Sequence, residues 1–460
     1  MWSRLASLLP VFALAALAAA CAGGDSDAER GVVAGVIVRA PACPVEGPGT
    51  PCPDAPVEHR TLRVFRAGTG HVVRTAETDG DGLFSIDLPP GVYDIRPDLE
   101  NIESVAVPAE GVEVLAGRTT NVRIVIDTGV RASEEPSPTP SGPPGVVTLN
   151  AVGDVALARE LAERIDTYGP AYPFELVRDA YGNADVSFAN LEGVLARRGA
   201  PIQKSYVFRN PPEHVRALID GGVDIVSLAN NHTLDYGPDG LVDTMLTASL
   251  NGIAHVGAAV DEPAAYAPAI LEVKGVRLAF LAYANVPPEA AFDTRELAAG
   301  PGKPGVAWAT EQAVRRDVAA AKARADHVIV SFHFGDEYRD APNALQVSLA
   351  RTAIDAGASV VLGHHPHVLQ GVERYGGGVI AYSLGNFVFD LDEVDLANMG
   401  PEPIFSMILT VRLSKTAVLG YETTPVVLDP ATDRPRPADN EERERFAERM
   451  RELAALIPPP

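Results

Sequence analysis

From residue 146 onward, short apolar runs recur along the chain, and each ends in residues with carboxylate, amide or imidazole side chains. Continuous apolar runs of strand length are typical of strands that are buried on both faces of a sheet. Helical patterns at 156–165, 212–219 and 311–325 lie between several runs, so the pattern predicts an α/β layered domain over residues 146–430. The runs, each followed by its polar segment, are 146–152 and 153–154, 186–189 and 190–193, 225–228 and 229–232, 328–332 and 333, 360–362 and 363–367, and 379–382 and 383–386.

Residues 31–128 show a different pattern, in which short apolar alternations are separated by turn residues. This spacing predicts a small antiparallel β-sandwich, a separate all-β domain that precedes the α/β domain. The segment carries no acid/base constellation, so we interpret it as a spacer or adhesion module. Its predicted strands are 32–38, 62–65, 83–88, 92–95, 112–115 and 122–126.

Two further segments flank the α/β domain. Residues 129–145 are rich in proline, which predicts an extended and semi-rigid linker. Residues 431–460 form a charged C-terminal segment, in which apolar side chains at helical spacing predict a helix that docks through one face, followed by a tail. Those apolar residues are Phe446, Met450, Leu453 and Leu456.

Residues 1–20 contain Arg4 and then an apolar stretch that ends in small residues directly before Cys21. The stretch is short for a membrane span and is typical of a signal peptide. The ending Leu17-Ala-Ala-Ala-Cys21 resembles the lipobox of bacterial lipoproteins, which implies a lipidated Cys21 followed by a tether at 21–30. The alternative is an ordinary secretory signal. In either case we expect an extracytoplasmic protein, anchored to the membrane or secreted.

The lipid anchor has a direct test. We expect Cys21→Ser to move the protein from the membrane fraction to the aqueous fraction of the cell, because the only acylated side chain is then lost. Fractionation without detergent measures this. If Cys21→Ser stays with the membrane through the washes, the anchor lies elsewhere.

The other two cysteines, Cys43 and Cys52, bracket a loop rich in proline and glycine. In an exported protein, such a pair predicts a disulfide that closes the loop. A metal site would need more ligands nearby, and His59 is the only candidate in this part of the sequence.

Composition and charge exclude several classes of protein. The 460 residues are 46% hydrophobic, so the chain is not globally disordered. There are 61 acidic against 38 basic side chains, which gives a formal net charge of −23. A chain this acidic lacks the basic surface that binds a phosphate backbone, so we expect no nucleic-acid partner.

The polar residues at the strand ends predict a metal site. Ligands gather at the carboxyl ends of the strands in α/β sheets, and five of the ten histidines lie in these segments. Imidazole, carboxylate and amide groups together suit a divalent ion, and the absence of cysteine from this domain excludes a thiolate-rich zinc site. The residues that must meet are Asp154, Asn231, His333, His365 and His367.

The order of these motifs over residues 146–428 resembles the CapA family of poly-γ-glutamate capsule synthesis, within the calcineurin-like metallophosphoesterase superfamily. The motifs are Gly153-Asp154-Val155, Asn190-Leu191-Glu192-Gly193, Asn230-Asn231-His232 with Asp235-Tyr236-Gly237, Ser331-Phe332-His333-Phe334-Gly335 with Glu337-Tyr338, residues 363–370, and residues 382–387. The N-terminal part, with Thr78-Asp79-Gly80-Asp81-Gly82, resembles the transthyretin-like, carboxypeptidase-regulatory sandwich.

The resemblance implies a four-layer α-β-β-α sandwich with two divalent ions, of manganese, iron or zinc, at the ends of the sheets. It implies that His232 and Asp154 act in catalysis, and that Lys204 and Arg209 bind an anionic substrate. One departure is that Ala156 stands where the superfamily has a histidine ligand, which leaves the second ion open. The implied metal ligands are Asp154, Asn190 or Glu192, Asn231, His333, His365 and His367.

Two functions follow as hypotheses. One is a metal-dependent hydrolase of the cell envelope that acts on a phosphoester or on the γ-amide of polyglutamate, with His232 as the general acid. The other is a non-catalytic, metal-containing accessory subunit that binds an anionic polymer or a membrane synthase. The histidines favour the first hypothesis, and Ala156 favours the second.

Overall fold

The computed structural model describes residues 30–40, 55–67, 72–97, 106–107, 109–127, 145–289, 292–400 and 404–460. The predicted signal peptide, Cys21, Cys43, Cys52 and most of the linker lie outside the described residues, so lipidation and the disulfide stay predictions. Among the described helices, none is long and apolar enough to cross a membrane.

The N-terminal segment forms two sheets that enclose their own core. Alternate side chains such as Val33, Leu62 and Ile95 are fully buried between the sheets. One sheet has the order β2-β1-β9-β7 with β5 beside β1, and the other has the order β4-β3-β6-β8. The strands are β1 (Gly31–Ala40), β2 (Ala55–Pro56), β3 (Thr61–Arg66), β4 (Val72–Glu77), β5 (Leu83–Leu88), β6 (Gly91–Pro97), β7 (Ala106–Val107), β8 (Ala109–Val114) and β9 (Thr119–Asp127).

The prediction of a purely antiparallel sandwich is wrong at one place. Strands β1 and β9 pair in parallel from Val32 with Thr119 to Ala40 with Asp127. Hairpin connections force neighbouring strands to be antiparallel, but these two strands are the first and last of the segment and no hairpin joins them. Strand spacing alone therefore could not fix their relative direction.

The first sheet of the α/β domain has eight strands in the order β15-β14-β11-β10-β25-β26-β27, with β24 beside the end of β10. Its central strands β10, β11, β14 and β15 are parallel, and β25 to β27 are antiparallel. The strands are β10 (Val146–Val155), β11 (Val186–Leu191), β14 (Ile225–Ser227), β15 (Ala254–Val256), β24 (Asn386–Val388), β25 (Ile404–Ser414), β26 (Val418–Asp429) and β27 (Arg434–Pro437).

The second sheet has six strands in the order β17-β18-β20-β21-β23-β22, and β18, β20, β21 and β23 are parallel. Two short strand pairs, β12 with β13 and β16 with β19, lie outside both sheets. The strands are β12 (Val194–Leu195), β13 (Arg209–Asn210), β16 (Ala258–Ala259), β17 (Ala269–Val273), β18 (Val276–Asn285), β19 (Gly305–Val306), β20 (His327–Phe334), β21 (Val360–His364), β22 (Val372–Tyr375) and β23 (Gly378–Ala381).

Helices flank these sheets, and α6 and α7 form the outer layer beside the second sheet. Leu278 and Phe280 of β18 pack toward the first sheet, whereas the alternate residues Ala279 and Leu281 pack against α6 and α7. The helices are α1 (Glu160–Tyr168), α2 (Arg178–Tyr181), α3 (Val215–Gly221), α4 (Gly237–Leu250), α5 (Glu262–Ala265), α6 (Glu311–Lys322), α7 (Ala344–Asp355), α8 (Glu393–Met399) and α9 (Asn440–Ala455).

The two sheets pack face to face. The rings of Phe188 in β11 and Phe280 in β18 stack with their centroids 6.0 Å apart. On the outer face of the first sheet, Asn150 of β10 donates a hydrogen bond to the carbonyl of Tyr181 in α2. Helices, sheet, sheet and helices thus follow one another, and the predicted four-layer α-β-β-α sandwich is confirmed.

The C-terminal segment is part of this fold. Strand β27 adds a strand to the first sheet beyond residue 430. Helix α9 buries Phe446 and Leu453 in the core, while Leu456 at the end of the predicted apolar face is 45% exposed. Asp439 caps the helix, since its side chain accepts the backbone N–H of Glu442.

Candidate metal centre

The candidate residues lie where strands of both sheets end. Asp154 of β10 pairs in register with Asn190 of β11, and His333 of β20 pairs with His364 of β21. Phe332 and Phe334 face the outer helices, so His333 lies on the opposite face of β20, which looks toward the first sheet. Parallel pairing within each sheet and the packing of the two sheets therefore bring the predicted residues to one place.

Asp154 is fully buried and its two oxygens have different neighbours. Asn190 Nδ2 donates to Oδ1 over 2.8 Å, and His364 Nδ1 lies 3.2 Å from the same oxygen. The backbone N–H of His365 donates to Oδ2 over 3.1 Å. Burial by itself raises the pKa of Asp154, but His364 and then His367 outweigh it, so the pKa is lowered. Asp154 is an anion in this environment.

Glu192, directly after β11, is also fully buried, and neither of its oxygens has a hydrogen-bond partner among the described residues. His333 Nε2 lies 3.0 Å from Oε1 but outside hydrogen-bond geometry. Burial, and next the charge of Asp154, raise the pKa of Glu192 well above its usual range. A carboxyl group in this setting needs a positive partner, and a divalent cation would satisfy it.

The amides of this region are engaged with one another and with His333. Asn190 donates to Asp154 and accepts from Asn230 Nδ2 over 3.2 Å, so its side chain is committed to protein partners. Asn231 Oδ1 lies 2.9 Å from His333 Nε2, and because an amide oxygen only accepts, the imidazole donates here. The structure thus places Asn231 beside one nitrogen of His333 and Asn190 beside the other, with Asn190 Nδ2 3.3 Å from His333 Nδ1.

The histidine loop after β21 has unusual backbone angles. His365 has φ 93° and His367 has φ 59°, in the left-handed region that side chains rarely adopt. The ring of His365 lies 4.9 Å from that of His333, between centroids, and His367 Nδ1 donates to Asn386 Oδ1 over 2.8 Å. This backbone turns both rings toward the strand ends.

Among the described residues, two sets of side chains come close enough to hold a cation. One set is Asp154, Glu192 and His367, and the other is Glu337, His365 and His367; within each set, one ligand atom per residue lies within 4.8 Å of the others. We call them the inner group and the outer group. Burial, and then the charge of His367, lower the pKa of His365 to about 3, so its imidazole is neutral and can donate a lone pair.

His232 lies beside this centre with a carboxylate behind it. Its Nδ1 donates to Asp235 Oδ2 over 2.7 Å, and its ring stacks on Phe208 with centroids 4.2 Å apart. Burial and then the charge of Lys204 lower the pKa of His232. The neutral ring is thus protonated at Nδ1 and can accept a proton at Nε2; a general acid would have to gain that proton first.

The two side chains predicted to bind an anionic substrate, Lys204 and Arg209, lie in different environments. The side chain of Lys204 is 1% exposed, and its Nζ donates to the carbonyl of Asn231 over 2.8 Å. The same Nζ lies 3.2 Å from Glu289 and 3.4 Å from Asp235, so Lys204 stabilises the segment that carries Asn231. Arg209 is exposed and stacks over the ring of Tyr236. Its role in binding substrate stays a prediction.

Sequence reasoning did not assign several residues of the site. Glu337 was noted as part of a motif after β20, but nothing in the spacing showed that it meets two histidines. His364 is absent from the predicted ligand set, yet it is fully buried against Asp154. The other unassigned residues are Asn230, Asp235, Glu289 and Asn386.

Comparisons with known proteins agree with the motifs. Residues 148–391 match the family Bacterial capsule synthesis protein PGA_cap. The chain is 32% identical over 277 residues to capsule biosynthesis protein CapA of Bacillus anthracis, covering 58% of this chain and 66% of that protein. It is 30% identical over 296 residues to a Mycobacterium tuberculosis protein named "Probable polyglutamine synthesis accessory protein", covering 55% of this chain and 77% of the relative.

A solved structure is similar at a greater distance. The calcineurin-like phosphoesterase YfkN from Bacillus subtilis has a TM-score of 0.35 and 14% sequence identity. The alignment covers 68% of this chain and 99% of that structure.

Proposed function

The chain belongs to the bacterial capsule synthesis protein family PGA_cap, and from this premise we propose that it is an extracytoplasmic metal-dependent hydrolase of the cell envelope. Its substrate is a phosphoester or the γ-amide of a polyglutamate capsule polymer. The chain spans 66% of the length of the Bacillus anthracis relative.

One observation carries the proposal: the buried carboxyl of Glu192 has no hydrogen-bond partner among the described residues and lies beside the anionic Asp154. Two buried acids without a cation cost free energy, since each unsatisfied buried group costs about 1 to 3 kcal/mol. Carboxylate oxygens and a neutral imidazole are ligands that manganese, iron and zinc accept. The residues present therefore fit a divalent ion.

The protein's own groups supply the rest of the chemistry. A bound ion would act as a Lewis acid toward the scissile group. His232, held at Nδ1 by Asp235, exchanges a proton at Nε2 with water or with the leaving group. Asn231 and Lys204 keep this histidine in place, because the Lys204 ammonium bonds the backbone carbonyl of Asn231. The arrangement supports hydrolysis by general acid/base catalysis beside a metal.

The second candidate function is a non-catalytic accessory subunit that binds an anionic polymer or a membrane synthase. The name of the Mycobacterium tuberculosis relative, an accessory protein, favours it, and so does Ala156 at the place of a superfamily ligand. In that case the metal would shape a binding surface and His232 would have no catalytic task.

Metal content and a substrate screen separate the two functions. We expect the purified protein to carry manganese, iron or zinc, and to hydrolyse phosphomonoesters, phosphodiesters or γ-glutamyl oligomers when the metal is supplied. The control is His232→Ala, which should keep the metal and lose at least about 100-fold in rate, the usual contribution of acid/base catalysis. A metal-loaded protein that hydrolyses none of these supports the accessory role. A protein that binds no divalent ion at micromolar concentration contradicts both metal-based functions.

A further inference from the structure

The first strand of the domain offers no second ligand after Asp154. Ala156, two residues after Asp154, is 3% exposed and packs in an apolar cluster with Phe208 and Phe389. Its side chain is a methyl group and cannot bind an ion. A second ion therefore needs a ligand from elsewhere in the fold.

We propose that Glu337 supplies that ligand, and that Glu337, His365 and His367 form a second cation site. One ligand atom from each of the three lies within 4.8 Å of the others. Two imidazoles and one carboxylate form a donor set that zinc, manganese and iron all accept. This inference rests on the proposed function only in that both require a divalent ion.

The fold holds Glu337 against the histidine loop. Its neighbour Tyr338 donates its backbone N–H to the carbonyl of Pro366, over 2.9 Å, and Pro366 stands between the two histidines. The ring of Tyr338 lies 5.9 Å from that of His367, between centroids, and its hydroxyl donates to Asp395 of α8 over 2.5 Å. The turn after β20 and the loop after β21 are thus fixed to each other at the residues that flank the site.

The ligand atoms are available. His365 is 4% exposed, and its Nδ1 has no hydrogen-bond partner among the described residues. Glu337 is exposed, and a carboxylate oxygen of it lies within 4.8 Å of a nitrogen of each imidazole. A buried imidazole nitrogen without a partner needs a hydrogen-bond partner or a cation, and the carboxylate and second imidazole beside it favour a cation.

The outer and inner groups share His367. One imidazole nitrogen serves one ion, so we assign His367 to the outer ion together with Glu337 and His365. The inner ion then depends on Asp154 and Glu192, with His333 3.0 Å from the latter. Removing Glu337 should therefore affect one ion and leave the other.

Glu337→Gln tests the assignment in the full-length protein, because it keeps the shape of the side chain and removes its charge. We titrate wild type and variant with Mn²⁺ alone, following bound metal by electron paramagnetic resonance and calorimetry. We expect the variant to lose one of two bound ions per chain, or to bind it at least about 10-fold more weakly. The matched control is Asp336→Asn, since Asp336 bonds Asn343 and lies outside both groups; it should bind as wild type.

The outcomes separate this inference from the proposed function. If Glu337→Gln binds the same number of ions with the same affinity as wild type, the second site is wrong while the inner centre stands. If wild type binds a single ion that Glu337→Gln retains, the second site is also wrong. If wild type binds none, the proposed function fails, and this inference with it. A thermal melt of each variant shows that the comparison is between folded proteins.

Discussion

Asp154→Asn is expected to remove the inner ion. The substitution keeps the shape of a fully buried side chain but replaces an anion with an amide, whose nitrogen would meet the donating N–H of His365 or the amide of Asn190. Loss of a carboxylate that contacts the ion should weaken metal binding more than loss of a residue that only hydrogen-bonds to a ligand. We therefore expect at least about a 100-fold rise in the Kd for the metal. Metal content after dialysis and calorimetric titration with Mn²⁺ measure it.

The control for this variant has to be a buried, paired aspartate away from the centre. Asp243 of α4 is 6% exposed and accepts from Arg198, so Asp243→Asn removes an ion pair without touching either metal group. It should bind Mn²⁺ as wild type does. His364 cannot serve, because its Nδ1 lies 3.2 Å from Asp154. Equal metal affinity in Asp154→Asn and Asp243→Asn would contradict the assignment of Asp154.

The fold was largely predictable because its signals are local and repeated. Each apolar run that ends in polar residues became a buried strand, as in Val186–Leu191, and the motif order identified the family that the comparisons confirm. The direction of each strand and the strand it pairs with were less predictable. The parallel pairing of β1 with β9 joins residues about 90 positions apart, and no hairpin or local spacing encodes it.

The site was predictable in its strand-end residues and less so in its turns. Asp154 and His333 lie at the carboxyl ends of strands, where ligand sites form in α/β sheets, so their position could be predicted. Glu337 lies beyond a strand, in a turn whose direction depends on a hydrogen bond from Tyr338 to Pro366 in another loop. Lys204 lies beside Asp235 and Glu289 because three separate segments of the chain meet there, which no local pattern encodes. Its contact with a substrate stays a prediction.

The close approach of two backbone segments underlies the inner group. Gly153 precedes Asp154 on β10, and the segment before β24 crosses it so closely that Asp154 donates its backbone N–H to the carbonyl of Gly385 over 2.9 Å. A Cβ on residue 153 would lie 1.7 Å from that same carbonyl oxygen. Since both contacting groups are backbone, no side-chain rotation relieves the overlap.

Among substitutions of glycine by alanine in this part of the chain, Gly153→Ala is therefore expected to lower stability most. Strand β10 must move away from residues 384–386, which breaks the bond to Gly385 and shifts both Asp154 and Asn386, so we expect about 3 kcal/mol lower free energy of unfolding and weakened metal binding. Urea denaturation measures the stability. In Gly300→Ala the nearest atom to the new Cβ is 3.6 Å away, and the change should stay within about 0.5 kcal/mol. Equal midpoints for the two variants would show that Gly153 is not in contact with the backbone of Gly385.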